Sequence, residues 1–373
     1  LNTIRNFFPI TNECIYLNHA GTGPMTKFAE KAIQECITVY KKQAEFDIDT
    51  YFNKLNQARE NIAELICAET EEITFTHNTS EGIYISLINI PLKEGENIIV
   101  MEEVFPAVRY VIEHNLLEIE KRYVNFCGRD PVDVIKRNLD NKTRAVVIDY
   151  VQFLTGEMIA LKNLNKFLKE KRIYLIVDGI QAIGAINFSV KEIDIDFLSC
   201  GAGKWLFGPC GTGFLYVNKR NFQSLKRLHT GWLGAPWKNF ENFENLPPLF
   251  GDARMFEMGT RNVIGITALA ENCRMLKNWG MEKVEEKILK LKRKLHNKFN
   301  ELGFEIVTPE REPQSGIITI KPNQPERLYK FLKKNRIIVS LRNNCLRFSP
   351  HFYNTEEEIE EVFDCLMKNK SIL

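Results

Sequence analysis

The chain has 373 residues, 44% of them hydrophobic and 26% charged. That composition suits a globular protein with a large core and excludes collagen-like, coiled-coil and disordered readings. Fifty basic residues against 48 acidic ones leave a formal charge of +2, so no excess field draws the chain to nucleic acid or to an anionic membrane. The nine cysteines are scattered, with no CxxC pair and no Cys/His cluster at metal-ligand spacing, which predicts reduced thiols, no metal site and a cytoplasmic location. Leu1-Asn2-Thr3-Ile4-Arg5 does not read as the start of a signal peptide, and no apolar run approaches the ~18 residues of a membrane span. The partner expected by default is a small neutral or zwitterionic molecule.

In chain order, helical periodicity is clearest over Thr26–Tyr40 and Leu55–Ala68. The short apolar runs Ile73–Phe75, Asn97–Met101, Ala145–Asp149, Tyr174–Asp178, Phe197–Ser199 and Gly213–Val217 read as strands, with a further helix at Leu164–Lys171. Nearly continuous apolar strands alternating with amphipathic helices predict an α/β domain whose parallel sheet is covered on both faces. Past residue 220 the periodicity fades in a stretch holding Trp232, Trp237, Phe240, Phe243 and Pro247-Pro248, read as a structured excursion near the active site. A charged helix over Met281–Leu302 leads to a small α+β unit: strands Ile317–Ile320, Ile337–Val339 and Leu346–Ser349, a helix at Glu326–Asn335 and a last helix from Glu356. The predicted organisation is an N-terminal segment, 1–14, packing with the small domain, a large domain over 15–265 and a small domain over 266–373. No internal repeat is visible.

The chemistry concentrates between Tyr174 and Val217. Asp178 ends one apolar strand and Lys204 follows another, which brings both to the carboxyl edge of the sheet, where open parallel sheets bind ligands. A carboxylate that keeps a pyridine nitrogen protonated and a lysine that forms an imine are what an aldehyde cofactor of the pyridoxal type needs.

These residues resemble the cofactor core of the class V aminotransferase family of pyridoxal 5'-phosphate enzymes, which includes cysteine desulfurases, selenocysteine lyases, kynureninase and isopenicillin N epimerase-like proteins. The likeness extends from Tyr16 to about Val362. It implies fold type I, with a mostly parallel seven-stranded sheet and a smaller α+β C-terminal domain. In Val177-Asp178-Gly179-Ile180-Gln181 it gives Asp178 to the pyridine nitrogen and Gln181 to the ring hydroxyl. Lys204, ahead of Gly208-Pro209-Cys210-Gly211-Thr212-Gly213, is implied as the Schiff-base lysine and the base that moves protons at the substrate α carbon. The turn His77-Asn78-Thr79-Ser80 resembles the phosphate turn, with Thr79 and Ser80 as contacts on a helix N-terminus. Phe105 takes the place of the residue stacked on the ring. Phe256-Glu257-Met258-Gly259-Thr260 resembles the signature whose threonine reaches the phosphate in the neighbouring subunit, so Thr260 implies a homodimer with shared active sites. Arg347 resembles the arginine that holds the substrate carboxylate by its planar fork, with Arg342 a weaker candidate. Asn18 and His19 lie on the loop implied to cover the substrate.

The sequence departs from the pattern in three places. Many relatives have histidine before the lysine and a hydroxyl residue shortly before that, where this chain reads Ser199-Cys200-Gly201-Ala202-Gly203-Lys204. The asparagine that touches the ring hydroxyl is missing from Tyr150–Gly156, with Gln152 a loose substitute. Cys345, two residues before Arg347, shares a strand face with it, but the connection from Val339 is too short for a thiol that swings out carrying sulfur. The expectation is an enzyme acting on a small amino acid, foremost a cysteine desulfurase-like or carbon-sulfur lyase. Aminotransferase and epimerase outcomes stand as alternatives, and a non-enzymatic binding module is disfavoured by the intact Asp178, Gln181 and Lys204.

Overall fold

Seven short segments, most of them apolar along their whole length, gain burial only by lying side by side under helices on both faces. The computed structural model, which describes residues 2–237 and 244–369, shows them doing so; Phe240 and Phe243 lie outside the described residues. In chain order the elements are α1 (Asn2–Arg5), β1 (Ile15–Tyr16), α2 (Lys27–Gln43), α3 (Ile48–Leu65), β2 (Ile73–Thr76), α4 (Thr79–Asn89), β3 (Asn97–Met101), α5 (Pro106–Asn115), β4 (Glu120–Val124), α6 (Pro131–Asn138), β5 (Thr143–Asp149), α7 (Leu161–Glu170), β6 (Tyr174–Asp178), α8 (Val190–Ile193), β7 (Phe197–Gly201) and β8 (Gly213–Val217). After the excursion come α9 (Val263–Trp279), α10 (Met281–Glu301), β9 (Glu305–Ile306), β10 (Ile318–Lys321), α11 (Pro325–Lys334), β11 (Ile337–Ile338), β12 (Ser340–Arg342), β13 (Cys345–Phe348) and α12 (Glu356–Met367).

The large sheet runs β2-β8-β7-β6-β5-β3-β4. β8 is antiparallel to both neighbours and every other pairing is parallel. A second sheet, β12-β13-β10-β9, is antiparallel, and β1 pairs in parallel with β11. The apolar pattern does not predict β4, because it is the sheet's edge, carries Glu120, Lys121 and Arg122, and is only partly buried. It also misses α9, which is buried on much of its circumference and so shows no clean polar stripe. The helix read from Leu55 begins two turns earlier, at Ile48, where the Asp47 carboxylate caps it by accepting from Thr50 N–H at 2.9 Å.

Two large cores divide the described residues, beside a small cluster of Cys36, Phe46 and Val263. The first takes in the sheet, α9 and the start of α10 as far as Ile288. The second gathers Leu291, Leu295 and Phe299 of α10 with β10, β13, α12 and also Ile15 and Leu17. α10 therefore spans both cores, Ile317, Phe352 and Tyr353 return to the first, and Ile15 and Leu17 pack in the second. The N-terminal segment touches both: Arg5 pairs with Glu358 of α12 at 2.8 Å, while Ile4 and Phe8 belong to the first core, where Phe8 stacks on Tyr353 with ring centroids 4.0 Å apart.

Two glycines allow the close approaches that shape the carboxyl edge. A Cβ on Gly82 would lie 2.2 Å from Ser199 Oγ, so glycine lets α4 settle onto β7. A Cβ on Gly23 would lie 2.0 Å from the Lys204 carbonyl, so the N-terminal loop can pass directly over the lysine turn. No helix among the described residues is long and apolar enough to cross a membrane, and none of their His, Cys, Asp and Glu side chains group into a metal site.

Candidate active site

β3, β5, β6 and β7 lie together in the sheet and run parallel, so their carboxyl ends open onto one edge. Asp178 ends β6 opposite Ser199 of β7, and Lys204 follows β7 by three residues. Thr79, Ser80, Phe105, Asp178, Gln181, Lys204 and Arg347 line a single cavity of about 350 Å³, with Arg342, Phe153 and Cys210 also on its wall. The Lys204 Nζ sits 5.4 Å from the centroid of the Phe105 ring. Thr79 opens α4, where its hydroxyl accepts from Gly201 N–H at 3.0 Å, and no described residue accepts from the backbone N–H of Thr79 or Ser80. An N-terminal turn with free donors suits an anion.

Burial governs the electrostatics. It lifts Asp178 to about 6, against the N–H of Ile180 at 2.9 Å and the charge of Lys204, both of which favour the ionised form. Burial also brings Lys204 down to about 8, with Arg347 and Arg342 pushing the same way and Asp178 and Asp149 pulling back. The buried cation thus gives up its proton far more readily than an ordinary lysine, which suits a nucleophile and proton carrier. Asp149 was not singled out from sequence, although its strand ends in an aspartate just as Tyr174–Asp178 does. The register sets it beside Asp178. Its carboxyl accepts from Phe105 N–H at 3.0 Å, and burial together with the charge of Asp178 raises it well above the usual range.

Arg347 is nearly fully buried on β13. It donates to the Phe153 carbonyl and, at 3.2 Å, to Ser340 Oγ, while its Nε has no partner. Burial and the like charge of Arg342 depress it to about 9, so a substrate carboxylate is the counter-charge the site lacks. Asn18 stands one step back, its Oδ1 accepting from the Ser340 hydroxyl at 2.6 Å.

Other expected residues fall elsewhere. His19 is fully buried away from the cavity. Its Nδ1–H donates to the Ser349 carbonyl and its Nε2 accepts from the Tyr353 hydroxyl, each at 2.8 Å, and burial depresses it to about 3. It is a neutral packing element, and its partners, more than 300 residues away, gave no local signal. Gln152 does not reach the cavity either: its amide oxygen accepts from Leu154 N–H and Thr155 N–H and its nitrogen donates to the Glu103 carbonyl. Cys345 is buried opposite Arg342 and is not on the cavity wall. Thr260 is exposed and stands outside the cavity of its own chain.

Residues 15–362 match the family described as aminotransferase class-V. The chain belongs to the class V aminotransferase family. It is 28% identical to a kynureninase of Bacillus anthracis over 379 residues, 95% of this chain and 88% of that one. It is 25% identical to a probable cysteine desulfurase of Pyrococcus abyssi over 395 aligned positions, 97% of this chain and 96% of that one. The solved complex of the cystine C-S lyase C-DES with its product cysteine persulfide shares the fold at a TM-score of 0.89 and 21% identity, covering 96% of this chain and 98% of that one.

Membership makes the chain an enzyme with pyridoxal 5'-phosphate as its cofactor, and the residues present fit that group. A lysine with a lowered pKa faces a buried carboxylate, the first turn of α4 offers unpaired donors for a phosphate, and Phe105 provides a ring for stacking. Because only the neutral amine attacks an aldehyde, the rate at which apo-protein takes up the cofactor should rise from pH 7 and level off above pH about 8. A stopped-flow absorbance series would show this, and a rate still climbing steeply beyond pH 10 would mean that Lys204 behaves as an ordinary surface lysine.

Proposed function

We propose that this enzyme is a carbon-sulfur lyase for a small sulfur-containing amino acid, releasing the sulfur directly and not through a thiol of its own. The observation that carries this is the β12–β13 connection. Asn343 and Asn344, both at positive φ (47° and 59°), form a two-residue hairpin turn. That turn leaves no loop to carry a mobile acceptor thiol, and Cys345 beside it is buried with its pKa raised by desolvation. The desulfurase and C-S lyase among the relatives and structural neighbours support sulfur-containing substrates, and a cavity of about 350 Å³ suits a small one.

Each group has a task in this reading. Arg347 receives the substrate carboxylate through its unpartnered Nε–H and the N–H groups left beside its bonds to Phe153 and Ser340, with Asn18 holding the Ser340 hydroxyl in place. When bound, pyridoxal phosphate supplies an electron-withdrawing ring that accepts the electron pair released at the substrate α carbon. Asp178, ionised, would keep the ring nitrogen protonated. Thr79 and Ser80 would hold the phosphate, and Phe105 would cover one ring face. Lys204, as a free amine, would remove the substrate α proton. With cysteine and water, the overall products are pyruvate, ammonia and sulfide.

Thr260 supports the further reading of a homodimer with shared sites, since it is exposed in its own chain. Met258 and Trp232 are also exposed beside it, with Gly231 packed on Met258 and Gly259 near the Trp232 indole. Light scattering should give twice the 43.3 kDa chain mass, and a mass of one chain at micromolar concentration would rule the dimer out.

The function is tested by incubating the holoenzyme with L-cysteine, L-cystine and common amino donors, assaying sulfide, pyruvate, alanine and keto acids. The lyase reading expects sustained pyruvate with sulfide or persulfide, kept in both Cys210→Ser and Cys345→Ser. Alanine in place of pyruvate, abolished in one of those variants, would mean a desulfurase. One keto acid per site from an ordinary amino acid, with recovery on adding a second keto acid, would mean an aminotransferase.

A further inference from the structure

We propose that Trp205 is a positioning residue for the cofactor ring: its indole N–H fixes the Gln181 side chain so that an N–H donor, and not the carbonyl, remains for the cavity. This rests on the reading of Gln181 as partner of the ring hydroxyl. An amide side chain can turn over and offer either end. Here two neighbours remove the choice. Trp205 Nε1–H, which only donates, lies 2.9 Å from Gln181 Oε1, and the Ala20 carbonyl, which only accepts, lies 3.0 Å from Gln181 Nε2. Oxygen must face tryptophan and nitrogen must face Ala20. One N–H of the amide is left over, on a side chain that lines the cavity beside Asp178 and Lys204.

Trp205 is itself held from several directions, which is what a positioning role requires. It is 1% exposed. Its carbonyl accepts from His351 Nε2 at 3.1 Å, and the His351 Nδ1 accepts from Phe352 N–H at 2.9 Å, which fixes that imidazole with its proton on Nε2. A Cβ on Gly184 would meet the same carbonyl at 2.5 Å, and one on Gly316 would meet the indole Cη2 at 3.0 Å, so glycine at each lets the tryptophan sit tightly. Gly316 and His351 come from the chain after residue 302, so the amide beside the cofactor is braced by the C-terminal part of the chain through one side chain.

The test is a double-mutant cycle on cofactor binding, read as the dissociation constant of pyridoxal phosphate from apo-protein by equilibrium dialysis, with the pH titration of the bound visible band as second readout. Trp205→Phe keeps an aromatic ring and removes the donor; Gln181→Met removes the amide. Each alone should weaken binding by about fivefold to tenfold, the worth of one neutral hydrogen bond, and shift the pH titration. In the Gln181→Met background, Trp205→Phe should add less than about twofold. The same factor in both backgrounds would reduce Trp205 to packing and overturn the inference while leaving Gln181 as a cofactor contact. No effect of Gln181→Met alone would overturn both readings. Should Trp205→Phe not fold, the four indole N–H signals of 15N-labelled apo-protein decide it. One should move and exchange faster in Gln181→Met, and four unchanged signals would contradict the proposal.

Discussion

The parallel pairing of β6 with β7 is the constraint on which the site depends. Its register puts Asp178 opposite Ser199 and so brings the Lys204 turn to the same carboxyl edge as the carboxylate. Two opposite charges buried there would be costly apart; together each tempers the desolvation of the other. The outcome is a lysine depressed to about 8 and an aspartate raised to about 6, a pair whose protonation can be decided by what binds between them. The neighbouring β5 adds Asp149, which ties the Phe105 backbone to the strand end. Three adjacent strands thereby set the lysine, the carboxylate and the stacking ring.

The same edge explains the role of the C-terminal part of the chain. It contributes Arg347 through β13 and braces Trp205 through His351 and Gly316. Arg347 is buried with its Nε unpartnered, an arrangement that destabilises the empty site and favours a bound carboxylate. The tight Asn343-Asn344 turn ahead of β13 fixes that arginine firmly and, for the same reason, leaves no room for a swinging thiol.

What was legible in the sequence is local. Strands β3, β6 and β8 could be read to their end residues, because a strand buried on both faces is apolar throughout. Asp178, Gln181 and Lys204 could be read because each lies within a few residues of such a strand. The illegible parts are those decided across the chain. Edge position makes β4 polar, burial over most of its surface hides the period of α9, and His19 is consumed by partners near residue 350, so its place in a loop said nothing of its role. The orientation of the Gln181 amide likewise depends on Ala20 and Trp205, one on either side of it in sequence and both distant.

The most direct measurement is borohydride reduction of the holoenzyme followed by proteolysis and mass mapping of the pyridoxyl group. One modified peptide is expected, with the label on Lys204, and none from Lys204→Ala. A label on another lysine, or equal labelling in Lys204→Ala, would contradict it.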